Sequence, residues 1–148
     1  MGEIMIEGVV LTPLKTIDVA GGPVMHAMKN SDPGFAGFGE AYFTTCEQGA
    51  IKAWKRHRKM TLNLIVPVGS MLIALCNEAP KGTGKSGHCQ RVTLSPDNYA
   101  RLTVPPGIWV GFQGLSSNMN MLLNVANIPH DPDEADRLAV NELSFDWA

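Results

Sequence analysis

The chain has 148 residues, 45% of them hydrophobic and 18% charged, with a formal net charge of −2. That size suits one domain with a full core, spanning residues 1–148. The balanced charge gives no general attraction for nucleic acid, and no apolar run approaches the roughly 18 residues of a membrane span. With 15 glycines, 10 prolines and so few charges, the composition favours many short strands over a helical bundle.

Taken in order, residues 4–11 form a β-rich segment that ends at Thr12-Pro13. A short strand or connection over 14–19 stops at Gly21-Gly22-Pro23, and 24–29 reads as a strand carrying His26. Asn30-Ser31-Asp32-Pro33-Gly34 is a turn signal. Over 38–45, Glu40, Tyr42 and Thr44 alternate with Ala41 and Phe43, as in a half-polar strand. Strands follow over 49–58, 61–68 and 70–76, then a polar, glycine-rich loop over 78–88. Further strands span 89–94, 99–104, 109–115 and 119–126. The tail holds the one good helix start, Asp131-Pro132-Asp133-Glu134, predicting a helix to about Val140. Many short, evenly spaced strands with almost no helix indicate a sandwich or barrel.

The first residues carry no basic region leading into an apolar run, so no signal peptide is expected. The three cysteines, Cys46, Cys76 and Cys89, show no CxxC spacing. They suit buried thiols in a reducing compartment and a soluble, cytoplasmic chain. Gly82-Thr-Gly84-Lys85-Ser86 resembles the end of a phosphate-binding loop, but Ala79 replaces the glycine that the frame needs and a strand follows. It reads as a surface loop. The carboxylates at 131–136 lack the glycine and distant glutamate of a calcium loop. His26 and His88 stand alone in sequence and read as structural or exposed.

The densest chemistry lies between Gly49 and Gly69. Lys52, Lys55, Arg56, Arg58 and Lys59 crowd one strand with Trp54 and His57. So many cations must be solvated or meet an anion. One reading is a solvated edge strand, whose lysines discourage pairing between sheets. The other is a barrel strand lining the pocket of an anionic ligand. In a strand Lys55 and His57 share a face, and Lys52, Trp54 and Arg56 share the other unless a bulge intervenes.

The spacing resembles that of the cupin barrels. Gly49, Lys55, His57, Leu62 and Gly69 reproduce the frame of the first cupin motif, and Pro105-Pro106-Gly107 through Val110 that of the second. The resemblance implies metal ligands at four of these positions, but Lys55, Leu62 and Val110 supply no suitable donor. A metal-free cupin with no cofactor is expected.

More specifically, the chain resembles the dTDP-4-dehydrorhamnose 3,5-epimerase family, over roughly residues 35 to 147. Four stretches carry the resemblance: Phe38-Gly-Glu40-Ala-Tyr42-Phe-Thr44; Gly49-Ala-Ile-Lys52-Ala-Trp-Lys55; Pro105-Pro-Gly-Ile-Trp-Val110-Gly-Phe112; and Asn127-Ile-Pro-His130 through Arg137 with the closing Phe145-Asp-Trp147. The resemblance implies an all-β, cupin-type double-stranded β-helix, here with a short C-terminal helix. It also implies a homodimer, the family exchanging strands near Met25, Met28, Phe35 and Phe38. The implied activity is inversion of carbons beside a 4-keto group on a nucleotide-linked 6-deoxy sugar, serving surface polysaccharide biosynthesis. Carried over by position, Lys55 stands at the family's catalytic histidine and His130 at its tyrosine acid. Lys52 takes the place of the diphosphate-gripping arginine, and Val110 that of a phosphate-contacting histidine. The expected roles are Lys55 as base, His130 as opposing acid and His57 as donor to the enolate oxygen. Lys52 and Arg56 would attract the diphosphate, with Glu40 and Tyr42 on the sugar hydroxyls. The alternative is a carbohydrate- or nucleotide-sugar-binding cupin without catalysis. Neither nucleic acid nor membrane is an expected partner.

Overall fold

A computed structural model describes residues 6–77 and 87–148. The phosphate-loop-like run 82–86, most of the loop around it and the start of the first expected strand lie outside the described residues. The strands are β1 (Val10–Pro13), β2 (Thr16–Ile17), β3 (Val24–Met25), β4 (Glu40–Thr45), β5 (Ile51–His57) and β6 (Leu62–Val68). They continue with β7 (Met71–Cys76), β8 (Cys89–Leu94), β9 (Ala100–Val104), β10 (Trp109–Gly114), β11 (Met121–Ala126) and β12 (Ala135–Arg137).

Two five-stranded antiparallel sheets result, ordered β1-β9-β6-β11-β4 and β12-β5-β10-β7-β8, with β2 and β3 as a separate ribbon. This is the expected all-β, cupin-type architecture. The alternation in each strand explains why the sheets stack. Leu62, Leu64 and Val66 of β6 enter a shared core with Met71, Ile73 and Leu75 of β7. Ala74 and Cys76 of β7 face the other way, into a second cluster with Trp54 and Trp109. That cluster is roofed by the chain's last residues, including Leu143, Phe145 and Trp147. The turn glycines of the cupin frame are placed as their chemistry requires: Gly69 and Gly107 have φ of 80° and 94°, a region that disfavours side chains.

Two expectations change. The helix predicted from Asp131 to about Val140 is a single 3-10 turn, Pro132–Glu134, followed by β12 and a second turn at Val140–Glu142. Asp131 caps the first turn as its sequence suggests, accepting from the Asp133 amide at 3.0 Å. Beyond that, pairing with the open edge of β5 wins: Ala135 lies opposite His57 and Arg137 opposite Lys55. A continuing helix would forgo those ladder bonds. The cysteine expectation also changes. Cys76 and Cys89 face each other across β7 and β8 and form a disulfide, leaving Cys46 as the free, buried thiol. The hairpin brings together two residues that sequence spacing keeps apart.

The outer face of the first sheet is sealed by the segment before β4. Arg101 on β9 is fully buried there. Its guanidinium donates to the carbonyls of Ala27 at 2.8 Å and Pro33 at 3.0 Å and meets Asp32 at 3.3 Å. Asn63 of β6 donates to the Gly34 carbonyl at 3.1 Å. A buried cation is tolerated because several acceptors converge on it. Arg101→Ala is therefore expected to lower unfolding free energy by about 3 kcal/mol, since it strands buried acceptors and opens a cavity. Urea denaturation with an unchanged m-value checks this.

Candidate active site

The face that the cationic strand presents is set by an irregularity in β5. Val110 of β10 lies opposite Lys55, but Phe112 lies opposite Lys52, so β5 carries one extra residue at this point. The bulge re-aims the strand. Lys52, which simple alternation puts on the outer face, joins Lys55 and His57 along a cavity between the sheets. Trp54 packs its ring the other way, against Phe145 and Trp147 at centroid distances of 5.9 and 5.3 Å. Its indole N–H donates to the Val140 carbonyl at 3.1 Å.

The cavity measures about 450 Å³. Tyr42, Thr44, Leu62, Leu64 and Asn124 line it from the first sheet. Lys52, Lys55, His57, Val110 and Arg137 line it from the second. Exposure grades along it: Tyr42, Lys52 and Arg137 are exposed, Lys55 and His57 are half-buried, and Leu62, Leu64 and Val110 are buried. The result is a cationic mouth over a mostly apolar interior. The four cupin ligand positions, Lys55, His57, Leu62 and Val110, all line it. Among the described residues, no three His, Cys, Asp or Glu side chains group as a metal site requires.

His57 is the best-held group in the cavity. Its Nδ1 hydrogen-bonds Glu134 Oε1. The other carboxylate oxygen accepts from the backbone amides of Arg58, Lys59 and Met60 at 3.2, 3.0 and 3.2 Å. A carboxylate can only accept, so Nδ1 carries a proton, and in the neutral ring it is Nε2 that keeps the free lone pair. Burial pushes the Glu134 carboxyl up, but the bonds from His57 and from the Lys59 and Met60 amides together hold it below its ordinary value of 4.5.

The other cations are held differently. Lys52 donates to the Thr45 carbonyl at 2.6 Å and lies 3.4 Å from the Thr44 hydroxyl. The Lys55 side chain makes no hydrogen bond or ion pair among the described residues. Burial first and Arg137 second push its ammonium below its ordinary value, and Glu134 opposes them.

Of the expected site residues, Lys52, Lys55, His57 and Tyr42 meet at the cavity. Arg56, Glu40 and His130 are not among its lining residues. Arg56 pairs with Asp136 at 2.9 Å and stacks 4.6 Å from the Trp109 ring, on the far side of the sheet. Glu40 begins β4 opposite Ala126, and His130 is exposed in the loop before the 3-10 turn. The motif position places His130 by a turn whose path differs from that of a pocket-facing acid. Sequence reasoning missed Glu134, Arg137 and Asn124. The first two were absorbed into a predicted helix start. Asn124 shows only as a polar break in an apolar strand; its amide donates to the Tyr42 hydroxyl at 3.1 Å.

No protein-family model and no curated protein matches the chain. Solved structures do. A dTDP sugar isomerase from Desulfovibrio desulfuricans G20 is 36% identical, with 95% of this chain and 90% of that one covered, at a TM-score of 0.85. The chain belongs to the dTDP-sugar isomerase family. Two more distant structures share the fold. A sugar 3,4-ketoisomerase from Thermoanaerobacterium thermosaccharolyticum, in complex with TDP, is 20% identical over 90% of each chain at a TM-score of 0.75. A 4-keto-6-deoxy sugar epimerase from the novobiocin cluster of Streptomyces spheroides is 15% identical, with 98% of this chain and 77% of that one covered, at 0.82. Membership of a dTDP-sugar isomerase family agrees with the motif resemblance to enzymes of nucleotide-linked sugars.

In this isomerase-family chain, the buried Glu134 links the site to acid stability. A carboxyl with a depressed folded pKa contributes stability above its unfolded value and loses it as pH falls through the folded value. Wild type should lose stability progressively below about pH 4.5. Glu134→Gln should be less stable near neutral pH and show a flatter acid limb, measured as denaturation midpoints across pH 2–7.

Proposed function

We propose that the chain is an isomerase or epimerase acting on a dTDP-linked 4-keto-6-deoxyhexose. The observation that carries this reading is His57, locked by Glu134 and presenting Nε2 to a cavity with a cationic mouth. A proton next to a ketone needs a positioned base, and an imidazole oriented by a carboxylate is one. Lys52 and Arg137 at the mouth suit the diphosphate. The interior, with Thr44 and Asn124 as polar points and Tyr42 at its rim, suits a hexose ring.

The roles shift from those the motif positions imply. His57 takes the proton, and Glu134 stabilises the imidazolium. Tyr42 replaces His130 as the acid on the facing sheet, the arrangement that inversion requires. Proton return from the His57 side instead leaves the configuration unchanged or moves the carbonyl.

Solvent deuterium incorporation beside the ketone, read by NMR, tests this. His57→Gln should slow exchange by about 10²–10⁴-fold. Tyr42→Phe should keep exchange but lose inversion, if inversion is the reaction. The exposure of His130 favours a second reading, sugar-nucleotide binding without catalysis. That reading prevails if dTDP binds and no candidate 4-keto-6-deoxy sugar ever exchanges.

We also assign the chain to a homodimer. β4 is the edge of its sheet and exposes Phe43 at 63%, with Phe38 at 66% just before it. A second copy would cover these rings, and analytical ultracentrifugation should find a dimer that Phe43→Lys shifts toward monomer. No helix among the described residues is long and apolar enough to cross a membrane. Sugar nucleotides are multiply charged and do not diffuse across bilayers, so the chain would work in the cytoplasm, where Cys76–Cys89 meets reductants.

A further inference from the structure

We infer that Lys55 is a nucleophile, whose amine condenses with the substrate ketone to form an iminium while His57 moves the neighbouring proton. This rests on the sugar-nucleotide reading above. It assigns Lys55 a covalent role in place of the base role that its motif position implies.

Three observations carry it. The first is that Lys55 is the cavity's free amine. Lys52 is tied to Thr44 and Thr45, and on the same strand Arg56 is tied to Asp136. The Lys55 ammonium has no hydrogen bond or ion pair among the described residues. The second is its setting. It sits half-buried with Val110 on one neighbouring strand and the Arg137 guanidinium on the other. Apolar walls and an adjacent cation both favour the neutral amine, the condition for amine attack on a carbonyl. The lowered pKa agrees with that setting. The third is the division of labour. His57 already has what a base needs, with Glu134 behind it. A second base on the same face, about 6.6 Å along the strand, would be redundant. A nucleophile there is complementary: a carbonyl carbon bound to Lys55 leaves the adjacent carbon for His57.

The step balances without an added oxidant or reductant. The Lys55 amine adds to the carbonyl carbon, and the resulting carbinolamine loses the carbonyl oxygen as water. The adjacent C–H proton goes to His57 Nε2, and its electron pair enters the C–C–N system, giving an enamine. The positive nitrogen is the electron sink, so no free enolate charge must be stabilised by the apolar interior. Delivery of a proton to carbon, from Tyr42 on the facing sheet when the centre is inverted, regenerates the iminium, and water then restores the ketone and the free amine.

The experiment treats wild type, Lys55→Arg and Lys55→Met with dTDP-4-keto-6-deoxyglucose and sodium cyanoborohydride, followed by intact mass and peptide mapping. Parallel samples in deuterium oxide report carbon exchange. A further set in ¹⁸O-water reports ketone oxygen exchange. The expected result is a reduced sugar-nucleotide adduct on Lys55 in wild type, absent from both variants. Ketone oxygen should exchange faster with wild type than with either variant. Carbon exchange in wild type without an adduct on Lys55, or with equal labelling of the Lys55→Arg variant at other lysines, overturns the iminium and leaves the isomerase reading standing. If wild type gives neither exchange nor adduct, the isomerase reading falls and the iminium with it.

Discussion

The site depends on one buried carboxylate. Glu134 is only 5% exposed, yet it meets an imidazole and three backbone amides. Those amides belong to the turn between β5 and β6, where the chain reverses between the two sheets. Left without an acceptor, a buried amide such as that of Met60 costs about 1–3 kcal/mol. The same atoms therefore close a structural turn and set the direction of His57. This dual use explains why residues 131–137 abandon a helix. Glu134 reaches β5 from the end of a short 3-10 turn, and β12 then zips onto the edge of β5.

A second constraint acts from behind the wall. β5 must present Lys52, Lys55 and His57 inward, which the extra residue opposite Val110–Phe112 allows. The indole of Trp54 must then be accommodated outside. It is seated by Phe145, Trp147 and the Val140 carbonyl. Gly111 makes room: a Cβ there would come within 2.9 Å of the Trp147 ring and 2.6 Å of the Ala53 methyl. The terminal Ala148 is held by Gln113 of β10, which accepts at 2.8 Å and donates at 3.1 Å. The closing Asp-Trp run of the family motif is thus a brace for the cationic strand.

Most of the barrel is legible from alternation and turn residues, because short amphipathic strands bounded by Gly and Pro leave few other ways to pack. The cupin frame is legible as well, since Lys55, His57, Leu62 and Val110 do line one cavity. What local pattern cannot show is the bulge. Strict alternation separates Lys52 from Lys55, and one inserted residue reunites them. Nor does it show that the Asp-Pro-Asp-Glu helix start aborts after one turn, because the competing partner, the β5 edge, is some 75 residues away in sequence. For the same reason His130, fixed only by motif position, ends in solvent, while Glu134 and Arg137 a few residues later reach the site. The Cys76–Cys89 pair is missed likewise: only the β7–β8 register makes it visible.

The cations of the wall have to serve two opposed ends. A diphosphate brought close to Lys55 would favour its ammonium and defeat any chemistry that needs the free amine. The exposure gradient eases that conflict. Lys52 and Arg137 stand at the open mouth, where they can neutralise the phosphates in high dielectric. Lys55 is the less exposed of the pair it forms with Arg137 across the ladder, and it has buried Val110 on its other side. With the mouth cations matched by two phosphates, burial and Glu134 would be left to oppose each other at Lys55, burial being the larger influence in the empty site. Arg137 is central to this balance: it disfavours charge on Lys55 in the empty site and, on the proposed reading, would accept the ligand's charge in the filled one. Binding and amine chemistry can then share one strand without cancelling.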